Sequence, residues 1–351
     1  MIPMDTTILR CPGCGANLIF NADAQNWVCE SCGRVSTQKD IYNITKDSDL
    51  DNKTHGQNID RQPELNLFRC QSCGAEMVTD ENTTATFCVY CGNAGIMKSR
   101  LEGKYRPDLI IPFKMSRQDA IDEYNKLRAG RYLAPDEFGD PQHIEKLSGV
   151  YVPFWLYDGS LQAHVSGTRT ESTSWTSGNY TYTTRNTYHL ERAGNMSFQK
   201  VPADGSKKFD DTLMDCLEPF NFSELQPFNY SYLSGFLAEK YDVTDEENQE
   251  RAKRRMAKAF MNEIYKTIHG TLINIEEDKT AVFHNAKYAL LPVWMLNTII
   301  NGKTYTYAMN GQTGRIIGNI PISYVKVLRY FAIRFLIAMA ALCALAYMFV
   351  M

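Results

Sequence analysis

Cys11-Pro-Gly-Cys14 and, fourteen residues on, Cys29-Glu-Ser-Cys32 are followed by Cys70-Gln-Ser-Cys73 and, again fourteen residues on, Cys88-Val-Tyr-Cys91. The same spacing is written twice, displaced by 59 residues, and it takes up eight of the ten cysteines. Each copy offers four thiolates in two short knuckles, the donor set of a closed tetrahedral Zn²⁺ site. Glycine follows the second cysteine of every pair (Gly15, Gly33, Gly74, Gly92), where the backbone must turn tightly toward sulfur. The likeness runs past the ligands, since Cys14-Gly-Ala-Asn-Leu-Ile matches Cys73-Gly-Ala-Glu-Met-Val. The pattern predicts two zinc ribbons, over 8–35 and 67–98, holding two structural ions through Cys11, Cys14, Cys29, Cys32 and Cys70, Cys73, Cys88, Cys91.

Paired cysteines also occur in disulfide-stapled secreted domains, but those chains carry a signal peptide. Met1-Ile-Pro-Met-Asp-Thr-Thr has neither a basic stretch nor an apolar run, so reduced, metal-holding thiols inside the cell are expected. Four thiolates leave zinc no open position for water, so catalysis at these ions is not expected. Each ribbon alone is too small for a sufficient core, and metal binding is expected to supply much of its folding free energy.

The other end reads differently. Phe335 to Met351 contains no charged residue, and Tyr330–Met351 is interrupted by Arg334 alone. As a helix, 22 such residues extend about 33 Å, close to the hydrocarbon thickness of a bilayer. Arg334, one turn in, can snorkel to the headgroups, and Lys326 and Arg329 precede the span. Positive charge marks the cytoplasmic flank. The expectation is a single tail-anchoring transmembrane helix over 330–351 in the cell membrane, with the N-terminal domains cytoplasmic.

Residues 36–66 include Lys46-Asp-Ser-Asp-Leu-Asp-Asn-Lys-Thr-His-Gly-Gln-Asn58, polar and nearly free of large apolar groups. They read as a flexible linker that lets the ribbons move independently. A folded domain is expected over 104–322. Ser116–Ala129 has the look of a helix closed by Gly130, and Thr244–His269 that of a longer one with a Thr244/Glu247 capping box and Gly270 beyond its end. Tyr151-Val-Pro-Phe-Trp155 echoes Leu290-Leu-Pro-Val-Trp294, each after a helical segment and before strand-like sequence. An α+β architecture follows, a duplicated helix-plus-antiparallel-sheet unit, with the prolines read as edge-strand residues. The Ser/Thr/Tyr-rich stretch 166–188, with a turn at Ser177-Gly-Asn, suggests a protruding hairpin whose Trp175, Tyr180 and Tyr182 either contact partners or cluster across the strands.

Net charge of −3 and the absence of a Lys/Arg face on either ribbon argue against general nucleic-acid binding. No Gly-x-Ser-x-Gly elbow, phosphate loop or His-Glu-x-x-His is present, and the six histidines are scattered. Cys216 reads as a core thiol, and Arg251-Ala-Lys-Arg-Arg255 as a solvated helix face.

Tandem four-cysteine ribbons, Tyr151-Val-Pro-Phe-Trp155, Leu291-Pro-Val-Trp-Met-Leu296, Gly302-Lys-Thr-Tyr305 with Asn310-Gly-Gln-Thr-Gly-Arg315, and a terminal span together resemble one family. It is that of the bacterial membrane-anchored, TFIIB-type zinc-ribbon proteins encoded beside the phage-shock protein PspA homologue of Bacillus-like bacteria. The resemblance covers nearly the whole chain. It implies a non-enzymatic adaptor that binds membrane-associated stress proteins, without a small-molecule substrate. The competing expectation is a membrane-tethered ribbon protein that binds nucleic acid in transcription or replication.

Overall fold

The computed structural model describes residues 11–41, 66–79, 88–90, 96–100, 107–139, 144, 146–208, 211–268, 271–300 and 302–350. Cys91, Gly92, Gly270 and most of the expected linker lie outside these. The first ribbon contributes β1 (Leu18–Asn21), β2 (Asn26–Cys29) and β3 (Val35–Ser36), a separate three-stranded sheet. The second contributes β4 (Asn66–Cys70), β5 (Glu76–Thr79) and β6 (Ile96–Arg100). Then follow β7 (Leu109–Ile110), α1 (Arg117–Arg128), β8 (Ser148–Ser177), β9 (Tyr180–Asp204), α2 (Asp211–Leu217), β10 (Gln226–Pro227) and β11 (Leu237–Glu239). The chain continues through α3 (Asp245–Lys266), β12 (Thr271–Ile300), β13 (Lys303–Asn310), β14 (Ile316–Gly318) and α4 (Tyr324–Val350).

The eleven-stranded sheet is centred on the antiparallel pair β8·β12, and its two sides repeat one another. On one flank β7 runs parallel to β12, with Leu109 opposite Ala289 and Ile110 opposite Leu290. On the other, β11 runs parallel to β8, with Leu237 opposite Val150 and Ala238 opposite Tyr151. Beyond these short strands, β13 continues along β12 from Val293 opposite Asn310, as β9 continues along β8 from Phe154 opposite Asp204. The Pro-x-Trp echo falls in register with this symmetry, because Pro153 pairs with Leu290 and Pro292 with Tyr151.

The hydrogen bonds repeat as well. The Trp155 indole donates to the Val243 carbonyl at 2.9 Å, just before the N-cap of α3, and the Trp294 indole to the Met115 carbonyl at 3.0 Å, just before that of α1. Both helices open with a complete capping box, Ser116 with Asp119 and Thr244 with Glu247, each cap contributing about 1 kcal/mol. Each unit is therefore a short strand, a capped helix and a long hairpin, and each unit's short strand pairs with the other's hairpin.

The prolines do not occupy sheet edges, contrary to the sequence expectation. The carbonyls of Pro153 and Pro292 face away from the central pairing and accept from Gly205 and Gly311 N–H at 2.8 and 2.9 Å. Their ring nitrogens point to the same side, into the gap where one flanking strand has ended and the next begins. No ladder bond is lost there, which is why a central strand tolerates them.

One face of the central pair carries Val150, Val152, Phe154, Leu291, Val293 and Met295 against α2 and against Met77 and Val89 of the second ribbon. The opposite face carries Tyr151, Leu290 and Trp294 against Phe113, Phe236, α1 and the first ribbon. Farther along β8, Tyr157, Leu161 and Val165 pack on Ala252, Met256, Phe260 and Ile264, the apolar stripe of α3. The β8–β9 hairpin then runs seven residues past the end of β12, turning at Gly178 (φ +63°). At its exposed tip Trp175 and Tyr182 stack cross-strand, centroids 5.6 Å apart at 16°.

The expected independence of the ribbons is corrected. Chain assigned to the linker from residue 36 is still ordered at Ser36 in β3 and through a helical turn at 38–41, where Ile41 is buried in the main core. The first ribbon buries Trp27 and Phe20 beside Tyr232, with ring centroids 5.0 to 5.3 Å apart. The Trp27 indole donates to the Ser231 carbonyl at 3.0 Å, and Ser234 Oγ donates to the Leu18 carbonyl at 2.7 Å. In the second ribbon β5 pairs with β11, extending the main sheet, and the Asn297 amide of β12 donates to the Val89 and Tyr90 carbonyls. Both ribbons are built into the domain because each carries apolar residues its own few strands cannot cover.

Two further expectations change. Cys216 is exposed on α2. Arg251 is buried rather than solvated, pairing with Asp204, with Asp211 at 2.9 Å and with Asp215 at 2.7 Å, while Arg255 pairs with Asp215 and Glu218. These pairs tie α3 to α2 and to the end of β9, since a buried guanidinium needs several acceptors.

Candidate metal centres

Three described knuckles share one backbone geometry. Cys11 N–H donates to the Ala16 carbonyl and Gly15 N–H to the Cys11 carbonyl, at 2.7 and 2.9 Å. Cys29 with Arg34 and Gly33, and Cys70 with Ala75 and Gly74, repeat the pair at 2.8 to 3.0 Å. Gly15, Gly33 and Gly74 all sit at φ of +72° to +73°, a region that glycine enters without strain. The result turns the first thiol of each knuckle inward and leaves the second at the surface.

Cys11, Cys14, Cys29 and Cys32 bring their sulfurs within 4.8 Å of one another, and so do Cys70, Cys73 and Cys88. The separations are 3.5 Å for Cys11–Cys32, 3.4 Å for Cys14–Cys29 and 3.6 Å for Cys73–Cys88. A disulfide needs about 2.05 Å. An ion with metal–sulfur bonds near 2.3 Å in tetrahedral geometry sets sulfurs about 3.8 Å apart. The thiols fit a metal and do not form disulfides. Cys91, the expected fourth ligand of the second group, lies outside the described residues.

Electrostatics within the first group agree with a site made for a cation. The Gly13 amide, 3.4 Å from Sγ, is the main cause that lowers Cys11 to about 6. Cys29 is lowered chiefly by the Cys32 amide. For Cys32 the Arg34 amide pulls down, but the three neighbouring thiols outweigh it and push the group up to about 12. Four sulfurs this close cannot all ionise without a counter-charge at their centre.

Residues that sequence reasoning missed lie beside the second group. Glu239, buried at the end of β11, accepts from Ser206 Oγ at 2.7 Å and pairs with Lys208 at 3.2 Å. Burial is the main cause that raises its carboxyl to about 7. Nothing in the local pattern Leu237-Ala-Glu-Lys240 marks that glutamate as interior.

α4 is the remaining candidate element. It begins at Tyr324, six residues before the expected start of the span, and Tyr324–Leu345 is long and apolar enough to cross a membrane. None of that stretch is buried.

The arrangement defines a class, a duplicated α+β domain with two cysteine ribbons set into it and an apolar helix capable of crossing a bilayer. The chain belongs to the family of a protein of Bacillus subtilis (strain 168) described as "Uncharacterized protein YdjG". The two are 34% identical over 328 residues, 92% of this chain and 92% of that one. No family model matches the chain, and no solved structure matches it.

Proposed function

We propose that the protein is a membrane-anchored, non-enzymatic adaptor, with two structural zinc ions that hold its ribbons in the domain and with α4 as its single membrane span. The observation that carries this reading is the exposure of α4. Its apolar surface stands clear of the fold, and it is attached at its base, where Ser323 N–H donates to the Leu133 carbonyl at 2.8 Å and Lys326 pairs with Asp136 at 2.6 Å. A naked apolar helix of this length has no stable place in water. Lys326, Arg329 and Arg334 at one end favour a cytoplasmic domain.

Zinc suits a four-thiolate set, and such an ion would be fully ligated by protein, leaving the ribbon a structural part. The partners we propose are membrane-associated stress proteins of the PspA type, on the strength of the family resemblance. The exposed, stacked Trp175 and Tyr182 at the hairpin tip are the contact surface of choice, since aromatic residues lead at protein interfaces.

The test is co-purification of tagged full-length protein from detergent-solubilised, nuclease-treated membranes. Membrane-stress proteins should be recovered by the unsubstituted chain and lost with a Trp175→Ala/Tyr182→Ala pair, while the variant stays in the membrane. Recovery of transcription or replication proteins in their place, or a protein confined to the soluble fraction, sinks the adaptor reading.

A further inference from the structure

The loop after α1 is fastened to the base of α4, and Arg131, Tyr132 and Leu133 in it are exposed while Ala134 is buried in the core. Leu133 and Ala134 accept through their carbonyls from Ser323 N–H and Lys326 Nζ, both at 2.8 Å, and Asp136 pairs with Lys326. Immediately before these anchor points Tyr132 is 81% exposed, and Tyr324 at the helix start is 86% exposed. Ile322 is also exposed, as is Arg131. A soluble surface gains nothing from bulky aromatics exposed to water beside an apolar helix. A bilayer interface does, because tyrosine prefers the headgroup level and arginine pairs with lipid phosphate.

Charge supports the same occupant. Lys326 and Asp136 neutralise one another at this junction, and Arg131 and Arg329 add positive charge beside the pair. No acidic residue follows Tyr324.

Depth decides which layer is met. With the hydrocarbon edge at Tyr330, Ser323 lies seven residues up the helix, about 10 Å above that edge. The headgroup layer is roughly 5–8 Å thick on each side. The loop backbone would therefore sit just outside that layer, close enough for an arginine or tyrosine side chain to span the difference and too far for acyl chains.

We propose that residues 130–136, strapped to the base of α4, form a lipid-headgroup docking surface that seats the domain on an anionic bilayer face. This rests on the membrane-anchored reading above. Docking would restrict the swing of the domain about α4 and so set the height and direction of the hairpin arm.

The test uses the full chain in nanodiscs containing anionic lipid, with tryptophan as reporter. In Tyr132→Trp, emission added over the unsubstituted chain should fall at least twofold with nitroxide-headgroup lipid, and Arg131→Glu in the same background should restore at least half of it. In Leu342→Trp, added emission should fall with lipid brominated deep in the acyl chains. If Leu342→Trp is quenched but Tyr132→Trp is not, or if its quenching survives Arg131→Glu, headgroup docking is overturned and the anchor stands. If Leu342→Trp is not quenched, the membrane reading fails and docking with it. Tyr132 is too exposed for its replacement to disturb folding.

Discussion

Replacing Trp27 distinguishes a ribbon that braces the domain from one that hangs beside it. Its side chain is 1% exposed, touches Phe20 and Tyr232, and donates a hydrogen bond to the Ser231 carbonyl, so most of its contacts cross from ribbon to domain. Truncating a buried tryptophan to alanine costs about 3–5 kcal/mol, through lost burial, the cavity left behind and the orphaned acceptor. Global unfolding breaks that interface, so the cost falls on the whole domain. At about 1.4 kcal/mol per factor of ten, the population of globally open molecules rises roughly 140- to 3,700-fold. Hydrogen exchange read by mass spectrometry on peptides covering 149–157 and 289–296, the centre of the sheet, reports that population when exchange follows the opening equilibrium. Trp27→Ala should accelerate exchange there by two to nearly four orders of magnitude, and Trp27→Phe by much less. Faster exchange confined to residues 11–41, with the sheet unchanged, would refute the argument.

The duplicated unit makes a paired prediction: Trp155→Phe and Trp294→Phe each lose one indole-to-carbonyl bond of equivalent geometry and should destabilise by about 1–2 kcal/mol apiece, read as a shift in denaturation midpoint. Glu239 predicts a pH dependence. Its carboxyl, raised to about 7, keeps its proton in the folded chain where the unfolded chain has lost it. Stability should therefore fall as pH rises from about 4.5 to 7, by at most about 3 kcal/mol, and Glu239→Gln should flatten that slope in denaturation curves taken across the range. Chelation of metal should speed exchange in 11–41 and in 228–236 together, because Leu18 and Trp27 are bonded to Ser234 and Ser231. If 228–236 keeps its protection while the ribbon exchanges, metal does not hold that interface.

Much of this organisation was legible in the sequence where one residue type carries one requirement. Cysteine spacing marked the first thiol group because four sulfurs and a left-handed glycine leave a knuckle little choice. Seryl and threonyl caps with an acid three residues on marked the starts of α1 and α3, and the repeated Pro-x-Trp marked the duplication. The linker composition misled at its beginning, since Ile41 follows the polar run 36–40 and only its neighbours across space show that it is buried. Arg251 misled for the same reason: its acceptors Asp204, Asp211 and Asp215 lie on other elements, and no i,i+4 pattern announces them. The exchange of short strands between the two units was also out of reach. It depends on β7 passing β8 to pair with β12, a choice made by the assembled sheet.

The most direct measurement is the zinc content of the full chain recovered from salt- and alkali-washed membranes under reducing conditions. The account predicts retention in the washed membrane with about two zinc ions per chain. Release into the wash, or retained protein with less than one zinc and freely titrating thiols, would contradict it.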